Sequence, residues 1–218
     1  CGAKTVAMYQ LSHDPLNGSP HNRGSTPSSM LGRVTYEWIT FTTDYGRRDG
    51  LVASCHGVIA RIAPTVRVLD VTHEIPPQDV RHAAAVLAQT IPYLPRAVHL
   101  AVVDPGVGST RRAVAVQTRD GVLVGPDNGL LTWAVAAIGG AERAVDVVNP
   151  DYRLQSGASH TFDGRDVFAP AAAHLAAGVD IGELGPQVDP MTLHRLPEPR
   201  LQVRRDVLET EVLTVDHF

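Results

Sequence analysis

The sequence predicts an α/β fold built on a parallel β-sheet, and three observations carry this prediction. Short apolar segments rich in β-branched residues alternate with helical segments between Glu37 and Val103. The intervening segments are long enough for right-handed crossover connections between parallel strands. Carboxylates lie at or just after the ends of the first three apolar segments, at Asp44, Asp70 and Asp104. Because parallel strands end at the same edge of a sheet, these carboxylates are expected to collect there and form a polar pocket.

The first half of the predicted domain contains two strand–helix pairs. A strand is predicted over Glu37–Thr43, followed by a helix over Leu51–Ile62 whose apolar residues share one stripe. Pro64 ends that helix. A second strand over Val66–Val71 precedes an alanine-rich helix over Val80–Tyr93.

The third strand, Val98–Val103, is a continuous apolar run, which is typical of a strand buried on both faces. Asp104 follows it directly, and glycines at 106 and 108 let backbone approach a ligand closely. Arg111 and Arg112 lie within reach of the same turn. A ligand site fits this pattern, but so does a solvated Asp-Pro-Gly turn with surface arginines.

The second half of the domain begins with a predicted hairpin. Its strands are Ala113–Thr118 and Val122–Val124, joined tightly through Arg119-Asp120-Gly121. A helix is then predicted from the Gly125-Pro126-Asp127-Asn128 segment through Ile138, with Asp127 or Asn128 as its N-cap. Free amide groups at such a helix start also suit a ligand, so both interpretations stay open.

A last helix is predicted over Phe168–Ala177, ended by Gly178. Residues 1–36 are expected to be a disordered or foreign leader, because they are rich in Ser, Pro, Gly and Asn without a sustained period. His13, His21 and Cys1 in this leader lack the paired spacing of metal ligands.

Composition excludes several classes of protein. The 218 residues are 44% hydrophobic, which suffices for a core in one domain or two small ones. A net charge of −4 argues against nucleic acid as the main partner. No apolar run approaches the roughly 18 residues of a membrane span. Two cysteines give no disulfide framework, so a reduced, cytoplasmic setting is expected.

Five motifs in order resemble one family, the S-adenosyl-L-methionine (SAM) hydrolases or SAM hydroxide adenosyltransferases, whose relatives include the fluorinase and chlorinase. The resemblance extends from about Ile39 to the C-terminus. The motifs are FTTDYG (41–46), DVTHEIPP (70–77), VDPGVGSTRR (103–112), GPDNGLL (125–131) and TFDGRDVFAPAAAHLAAG (161–178).

The resemblance implies an organisation as well as a reaction. Residues 37–195 match the family's α/β N-terminal domain, and residues 196–218 match a linker and the beginning of a smaller C-terminal β domain. Most of that β domain is expected to be absent, which leaves open whether this chain is active or trimeric alone. The family forms homotrimers with active sites between subunits. It hydrolyses SAM, the substrate, to adenosine and L-methionine, with no cofactor or metal.

The resemblance also implies roles for individual residues. Asp44 matches the aspartate that binds the ribose hydroxyls, and Asp49 matches a position near the methionine ammonium. Asp104 and Arg111 match two members of an Asp-Arg-His set that holds the attacking water. The remaining substrate-binding positions are Asn128, Thr161 and Phe162.

One position departs from the family's common pattern. Many relatives carry histidine in TFHGRD, where this chain has Asp163. We expect Asp163 to take the third catalytic place beside Asp104 and Arg111, although a turn residue pointing away from the pocket is the alternative.

Other functions fit the sequence less well. A halogenase would carry an uncharged aromatic residue where this chain has Asp104, and the fluorinase has a long insertion where Arg119-Asp120-Gly121 makes a tight turn. A SAM- or nucleoside-binding module without turnover stays open because of Asp163. An unrelated α/β domain, in which these motifs are only caps and turns, is the remaining possibility.

Overall fold

The computed structural model describes residues 34–154 and 162–215. Residues 1–33 of the predicted leader and Thr161 lie outside the described residues. The predicted end of the leader at residue 36 is wrong, because Tyr36 is buried in the core and its amide donates to the Ala176 carbonyl at 3.0 Å. Val34–Glu198 form one compact unit, whereas the residues from Pro199 onward belong to another.

A seven-stranded sheet forms the centre of the first unit, with the strand order β2-β1-β3-β5-β4-β6-β7. The pairs β1–β2, β1–β3 and β3–β5 are parallel, whereas β4–β5, β4–β6 and β6–β7 are antiparallel. The predicted α/β fold is thus confirmed, with a mixed sheet whose parallel part is formed by β2, β1, β3 and β5. The strands are β1 (Trp38–Thr43), β2 (Arg67–Thr72), β3 (Ala97–Val102), β4 (Ala113–Thr118), β5 (Gly121–Pro126), β6 (Arg143–Asp146) and β7 (Gln187–Val188).

Helices cover both faces of this sheet. One face packs against α1 (Leu51–Ile62) and α4 (Ala169–Ala176), and the other against α2 (Val80–Thr90) and α3 (Thr132–Ala137). The β3 strand is buried along its whole length because both layers contact it. Short 3₁₀ turns occupy Ile91–Tyr93, Pro150–Tyr152, Ile181–Leu184 and Pro190–Thr192.

The helix predicted from Asp127 or Asn128 begins later than expected. It starts at Thr132 after Leu131, so neither predicted N-cap is used. The physical reason is a tertiary contact, because the Asp127 carboxylate accepts hydrogen bonds from Arg112 Nε at 2.8 Å and from the His194 amide at 2.8 Å. A carboxylate held by these groups is not available to cap a helix.

The three strand-end carboxylates make separate contacts. The strands that carry them are adjacent, as predicted, but each carboxylate binds different groups. Asp44 Oδ2 accepts from the Gln78 amide at 2.8 Å, whereas Asp104 binds Arg111. Asp70 lies inside the edge strand β2 and contacts two histidines instead.

The second unit contains an exposed antiparallel hairpin within residues 199–215. Its strands are β8 (Leu201–Arg204) and β9 (Val207–Thr210), and Arg205 in the turn has a positive φ of 51°. None of the described helices has the length and apolar character that a membrane crossing requires.

Candidate active site

An arginine between two carboxylates forms the candidate active site. Arg111 donates to Asp104 Oδ2 from Nε at 2.9 Å and from Nη2 at 2.5 Å. The same Nη2 also donates to Oδ2 of Asp163, which lies 52 residues further along the chain. The structure thus brings together all three residues that the sequence predicted as catalytic.

The turn after β3 explains how Arg111 reaches Asp104. The Asp104 side chain accepts from the Gly106 amide at 3.2 Å, and the Asp104 carbonyl accepts from the Val107 amide at 3.2 Å. Gly108 then adopts a φ of +77°, which residues other than glycine rarely adopt. The loop folds back on itself and returns Arg111 to the carboxylate at its start.

Burial strengthens the electrostatics of this cluster. The side chains of Asp104, Arg111 and Asp163 are only 6%, 13% and 15% exposed. Burial by itself lowers the pKa of Arg111, but the hydrogen bonds and negative charges of the two aspartates outweigh it and raise the pKa overall. Arg111 also lies 5.1 Å above the centre of the Phe168 ring. The guanidinium is therefore a fixed cation.

Only one of the two consecutive arginines belongs to this cluster. Arg112 instead binds Asp127 and the Thr192 carbonyl, which it meets at 2.7 Å. The Arg112–Asp127 pair is a structural link between the β4–β5 hairpin and the segment near Thr192.

Asp163 is positioned by close packing around the glycine that follows it. A Cβ at Gly164 would collide with the Tyr45 hydroxyl, so only glycine allows this approach. The Tyr45 ring meets the Phe162 ring edge-on, with centres 5.5 Å apart. Gly164–Phe168 then form a π-helical turn that leads into α4. Phe162, a predicted pocket residue, thus packs against Tyr45.

Tyr45 is a site residue that the sequence prediction missed. Burial, followed by the negative charges of nearby groups that include Asp44, Asp104 and Asp163, raises its pKa far above the ordinary value. The phenol therefore stays protonated and can donate a hydrogen bond. Its place directly after Asp44 in the FTTDYG motif was the available signal.

Asp44 and Asp49 both lie in the loop between β1 and α1, but they differ in their surroundings. The backbone amide of Gln78 binds Asp44, and Gln78 has a left-handed φ of 66°, which residues other than glycine rarely adopt. Asp49 is exposed, and it makes no hydrogen bond or ion pair with any described residue. Asp44 is therefore held in place by the protein, whereas Asp49 faces solvent.

The Asn128 amide is engaged by backbone groups. Its Nδ2 donates to the Val103 carbonyl at 2.9 Å, and its Oδ1 accepts from the Leu130 amide at 3.1 Å. These bonds connect the end of β3 with the loop after β5. Asn128 thereby steadies the backbone from which Asp104 projects.

A polar cavity of about 370 Å³ opens beside the cluster. Arg111, Asp163 and Arg153 contribute to its lining. Burial lowers the pKa of Arg153, although the charge of Asp163 partly opposes that effect. Its Nε is buried without a hydrogen-bond partner among the described residues. The sequence prediction missed Arg153 because it lies in no recognisable motif.

The sequence and structure were compared with known proteins. Residues 39–185 match the family described as the SAM hydroxide adenosyltransferase N-terminal domain. A relative from Salinispora arenicola, named (R)-S-adenosyl-L-methionine hydrolase, is 62% identical over 181 residues, covering 83% of this chain and 69% of the relative. A protein of the same name from Thermus thermophilus is 46% identical over 187 residues, with 83% and 71% covered. A fluorinase from Actinoplanes is 28% identical over 204 residues, with 82% and 68% covered.

Solved structures agree with the fold. An uncharacterised conserved protein from Thermotoga maritima is 36% identical with a TM-score of 0.70, and the match covers 76% of this chain and 63% of that one. A conserved hypothetical protein from Thermus thermophilus is 47% identical with a TM-score of 0.62, covering 73% and 61%. The chain thus spans less than two thirds of each of these two solved relatives.

Proposed function

The chain belongs to the SAM hydroxide adenosyltransferase family, and we propose that it hydrolyses SAM to adenosine and L-methionine. The observation that carries this proposal is the buried cluster of Asp104, Arg111 and Asp163, which combines a proton acceptor with a fixed cation. Such a pair suits the activation of a single water molecule.

The proposed reaction is an in-line displacement at C5′ of the substrate. The oxygen of water forms a bond to C5′ while the C5′–S bond breaks. The electron pair of the broken C5′–S bond stays on sulfur. The sulfonium thereby becomes the neutral thioether of methionine, which needs no general acid. Asp104 accepts the proton that the water loses, and Arg111 stabilises the developing hydroxide. What the protein must supply is a positioned, partly desolvated nucleophile.

The substrate-binding part of the proposal assigns one group to each part of SAM. Asp44 binds the ribose hydroxyls, a task suited to a two-oxygen acceptor that the Gln78 amide already orients. Asp49 lies near the methionine ammonium. Phe162 and Thr161 contact the sugar and the reacting carbon, and Asn128 completes the set by supporting the Asp104 loop.

Asp163 takes the third catalytic place in this proposal. Its contact with Arg111 supports that role over the alternative of a turn residue that points away. Arg111 lies between the two carboxylates and offsets their mutual repulsion with its positive charge.

The remaining features of the proposal come from the family and the composition. We propose a homotrimer with the active site at the subunit interface, a cytoplasmic location in keeping with the free, buried thiol of Cys55, and no cofactor for the hydrolysis itself.

Product analysis tests the proposal. The protein is incubated with SAM, and adenosine and methionine are separated by chromatography. Asp104→Asn keeps the side-chain shape but removes the base, so we expect a roughly 10²-fold or greater loss of kcat with a modest change in SAM affinity. Asp127→Asn is the matched control, since Asp127 is also paired with arginine and only 7% exposed. We expect Asp127→Asn to keep kcat within a few-fold of the wild-type value.

Two outcomes would contradict the proposed mechanism. SAM binding by the protein without adenosine release would identify a binding module instead. Equal rates for Asp104→Asn and the wild type would remove Asp104 from the reaction. Halogenation is the less favoured alternative, because a buried carboxylate at position 104 repels halide and β4 and β5 are joined by a tight turn. A halogenated nucleoside among the products would support it.

A further inference from the structure

Two histidines and an aspartate form a second cluster, outside the proposed reaction centre. His56 lies on α1, Asp70 on β2 and His73 in the segment after β2. Asp70 Oδ1 is 2.8 Å from His56 Nε2 and 3.1 Å from His73 Nε2. One potential ligand atom from each residue lies within 4.8 Å of the others. These separations are those of hydrogen bonds, and they are also small enough for the three atoms to share one metal ion after a slight expansion.

His73 is the least explained member of this cluster. Its side chain is 2% exposed, and its Nε2 lies at ion-pair distance from Asp70 Oδ1, 3.1 Å, but makes no hydrogen bond of regular geometry with any described residue. A buried nitrogen with only this contact leaves room for a further group. Phe41 packs edge-on against the ring, with centres 4.9 Å apart, and prevents His73 from turning freely.

The other ring nitrogen of His73 contacts a threonine hydroxyl, which fits either tautomer of the ring. His73 Nδ1 is 2.8 Å from Thr43 Oγ1, and that oxygen also accepts from the Tyr45 amide at 3.2 Å. In the tautomer whose Nδ1–H donates to Thr43, the lone pair on Nε2 faces the Asp70 carboxylate. A metal ion between these two acceptors would then take the place that a proton holds in the other tautomer.

We propose that His56, Asp70 and His73 bind one divalent transition-metal ion, for which Zn²⁺ is the best fit. Two imidazole nitrogens and one carboxylate oxygen are ligands that Zn²⁺ prefers, and a fourth tetrahedral position stays open for water. Thr43 then acts as the outer hydrogen-bond partner that orients a histidine ligand. The side chains of His56 and Asp70 are 34% and 35% exposed, so the ion has a path from solvent.

The position of this site gives the ion a structural role. The His73 carbonyl accepts from the Gly46 amide at 2.7 Å, and Thr43 binds the Tyr45 amide. Both bonds hold the loop that carries Asp44 and Tyr45. A metal ion that fixes His73 therefore also fixes this loop, without taking part in the hydrolysis.

Metal binding to the whole chain tests the proposal. The purified protein is stripped with a chelator and dialysed against Zn²⁺, and bound zinc is measured by mass spectrometry. Co²⁺ substitution provides a spectrum, because tetrahedral Co²⁺ absorbs strongly in the visible range. We expect one Zn²⁺ per chain in the wild type, and loss of both signals in His56→Ala and Asp70→Asn. Both substitutions lie at partly exposed side chains and should leave the fold intact.

A matched pair of threonine variants examines the outer hydrogen bond. Thr43→Val removes the partner of His73 and should weaken Zn²⁺ binding about 10- to 100-fold. Thr40→Val is the control, because Thr40 Oγ1 makes the same contact with His99 Nδ1 at 2.9 Å on the neighbouring strand, away from the cluster. Thr40→Val should bind Zn²⁺ as the wild type does.

Two results would overturn the proposal. Absence of bound Zn²⁺ in the folded wild type would show that the cluster is held by a proton, as an ordinary histidine–aspartate contact. Unchanged Zn²⁺ binding in His56→Ala and Asp70→Asn would place the ion on other residues of the chain. Neither result depends on whether the protein hydrolyses SAM.

Discussion

Replacing Arg111 with methionine is expected to destabilise the fold by leaving two aspartates opposed. Both carboxylates bind the same guanidinium nitrogen, so their oxygens lie within about 6 Å, or two hydrogen-bond lengths, of one another. At that separation, with an effective dielectric constant of about 20, their repulsion is roughly 3 kcal/mol. Exposures of 6% and 15% leave little room for solvent to screen it. Loss of a partner from a buried ion pair typically costs about 3–5 kcal/mol, in agreement with this estimate.

A double-mutant cycle measures this repulsion. Urea unfolding, followed by circular dichroism near neutral pH, gives the free energy of unfolding for the wild type, Arg111→Met, Asp163→Asn and the double variant. In the wild-type background, Asp163→Asn removes a favourable contact and should cost about 1 kcal/mol. In the Arg111→Met background, the same substitution removes the repulsion and should restore about 2–3 kcal/mol.

The sign of the Asp163→Asn effect decides the outcome. If this substitution destabilises both backgrounds equally, Arg111 does not hold the two carboxylates together. Mild acidification supplies a second readout, because proton uptake by either carboxylate relieves the repulsion. The deficit of Arg111→Met relative to the double variant should therefore shrink as the pH falls.

Three further predictions concern the proposed active site and the core. In Asp163→His the enzyme should lose activity as the introduced imidazole protonates near its unperturbed pKa of about 6.5. The pH–rate profile of the wild type should therefore extend to lower pH than that of Asp163→His. Superimposed profiles for the wild type, Asp163→His and Asp163→Ala would exclude a catalytic part for Asp163. Asp44→Ala should weaken the binding of both SAM and adenosine by about 2 kcal/mol or more, while free methionine binds as before. Unchanged adenosine affinity in calorimetry would contradict the proposed binding of the ribose by Asp44. Burial lowers the pKa of His99 to about 4, so below about pH 6.5 the unfolded chain takes up a proton that the folded chain does not. The free energy of unfolding should therefore fall by roughly 2 kcal/mol between about pH 8 and pH 5. A pH series of unfolding curves should show this loss reduced in His99→Asn.

The central part of the fold was predictable from the sequence because its periodicity is strong. The boundaries of α1 were predicted as Leu51–Ile62 and confirmed, since its apolar stripe is clear and Pro64 limits it. The predicted start of α3 was wrong because the actual start depends on a tertiary contact. Asp127 has the character of an N-cap, but Arg112 and the His194 amide bind its carboxylate. No local pattern contains that information.

The candidate site shows the same division between local and distant contacts. The proximity of Asp104 and Arg111 follows from a short turn with two glycines, so the spacing itself indicated it. Asp163 lies 52 residues beyond Arg111, and only the resemblance to a family suggested that they meet. The cluster of His56, Asp70 and His73 combines a helix and a strand without any compact motif. The sequence therefore predicted a polar pocket at Asp70 where the structure has a histidine cluster.

The loop after β1 lies between the two clusters and is held from both directions. Thr43 and the His73 carbonyl bind the amides of Tyr45 and Gly46 on the side of the proposed metal site. On the other side, the Tyr45 ring packs against Phe162 and its hydroxyl reaches the glycine that follows Asp163. Asp44 projects from this loop, so its position depends on both contacts. A substitution in either cluster should therefore change ligand binding at Asp44 more than it changes the reaction rate at Asp104. The affinity for adenosine is accordingly a more sensitive measure of loop order than kcat.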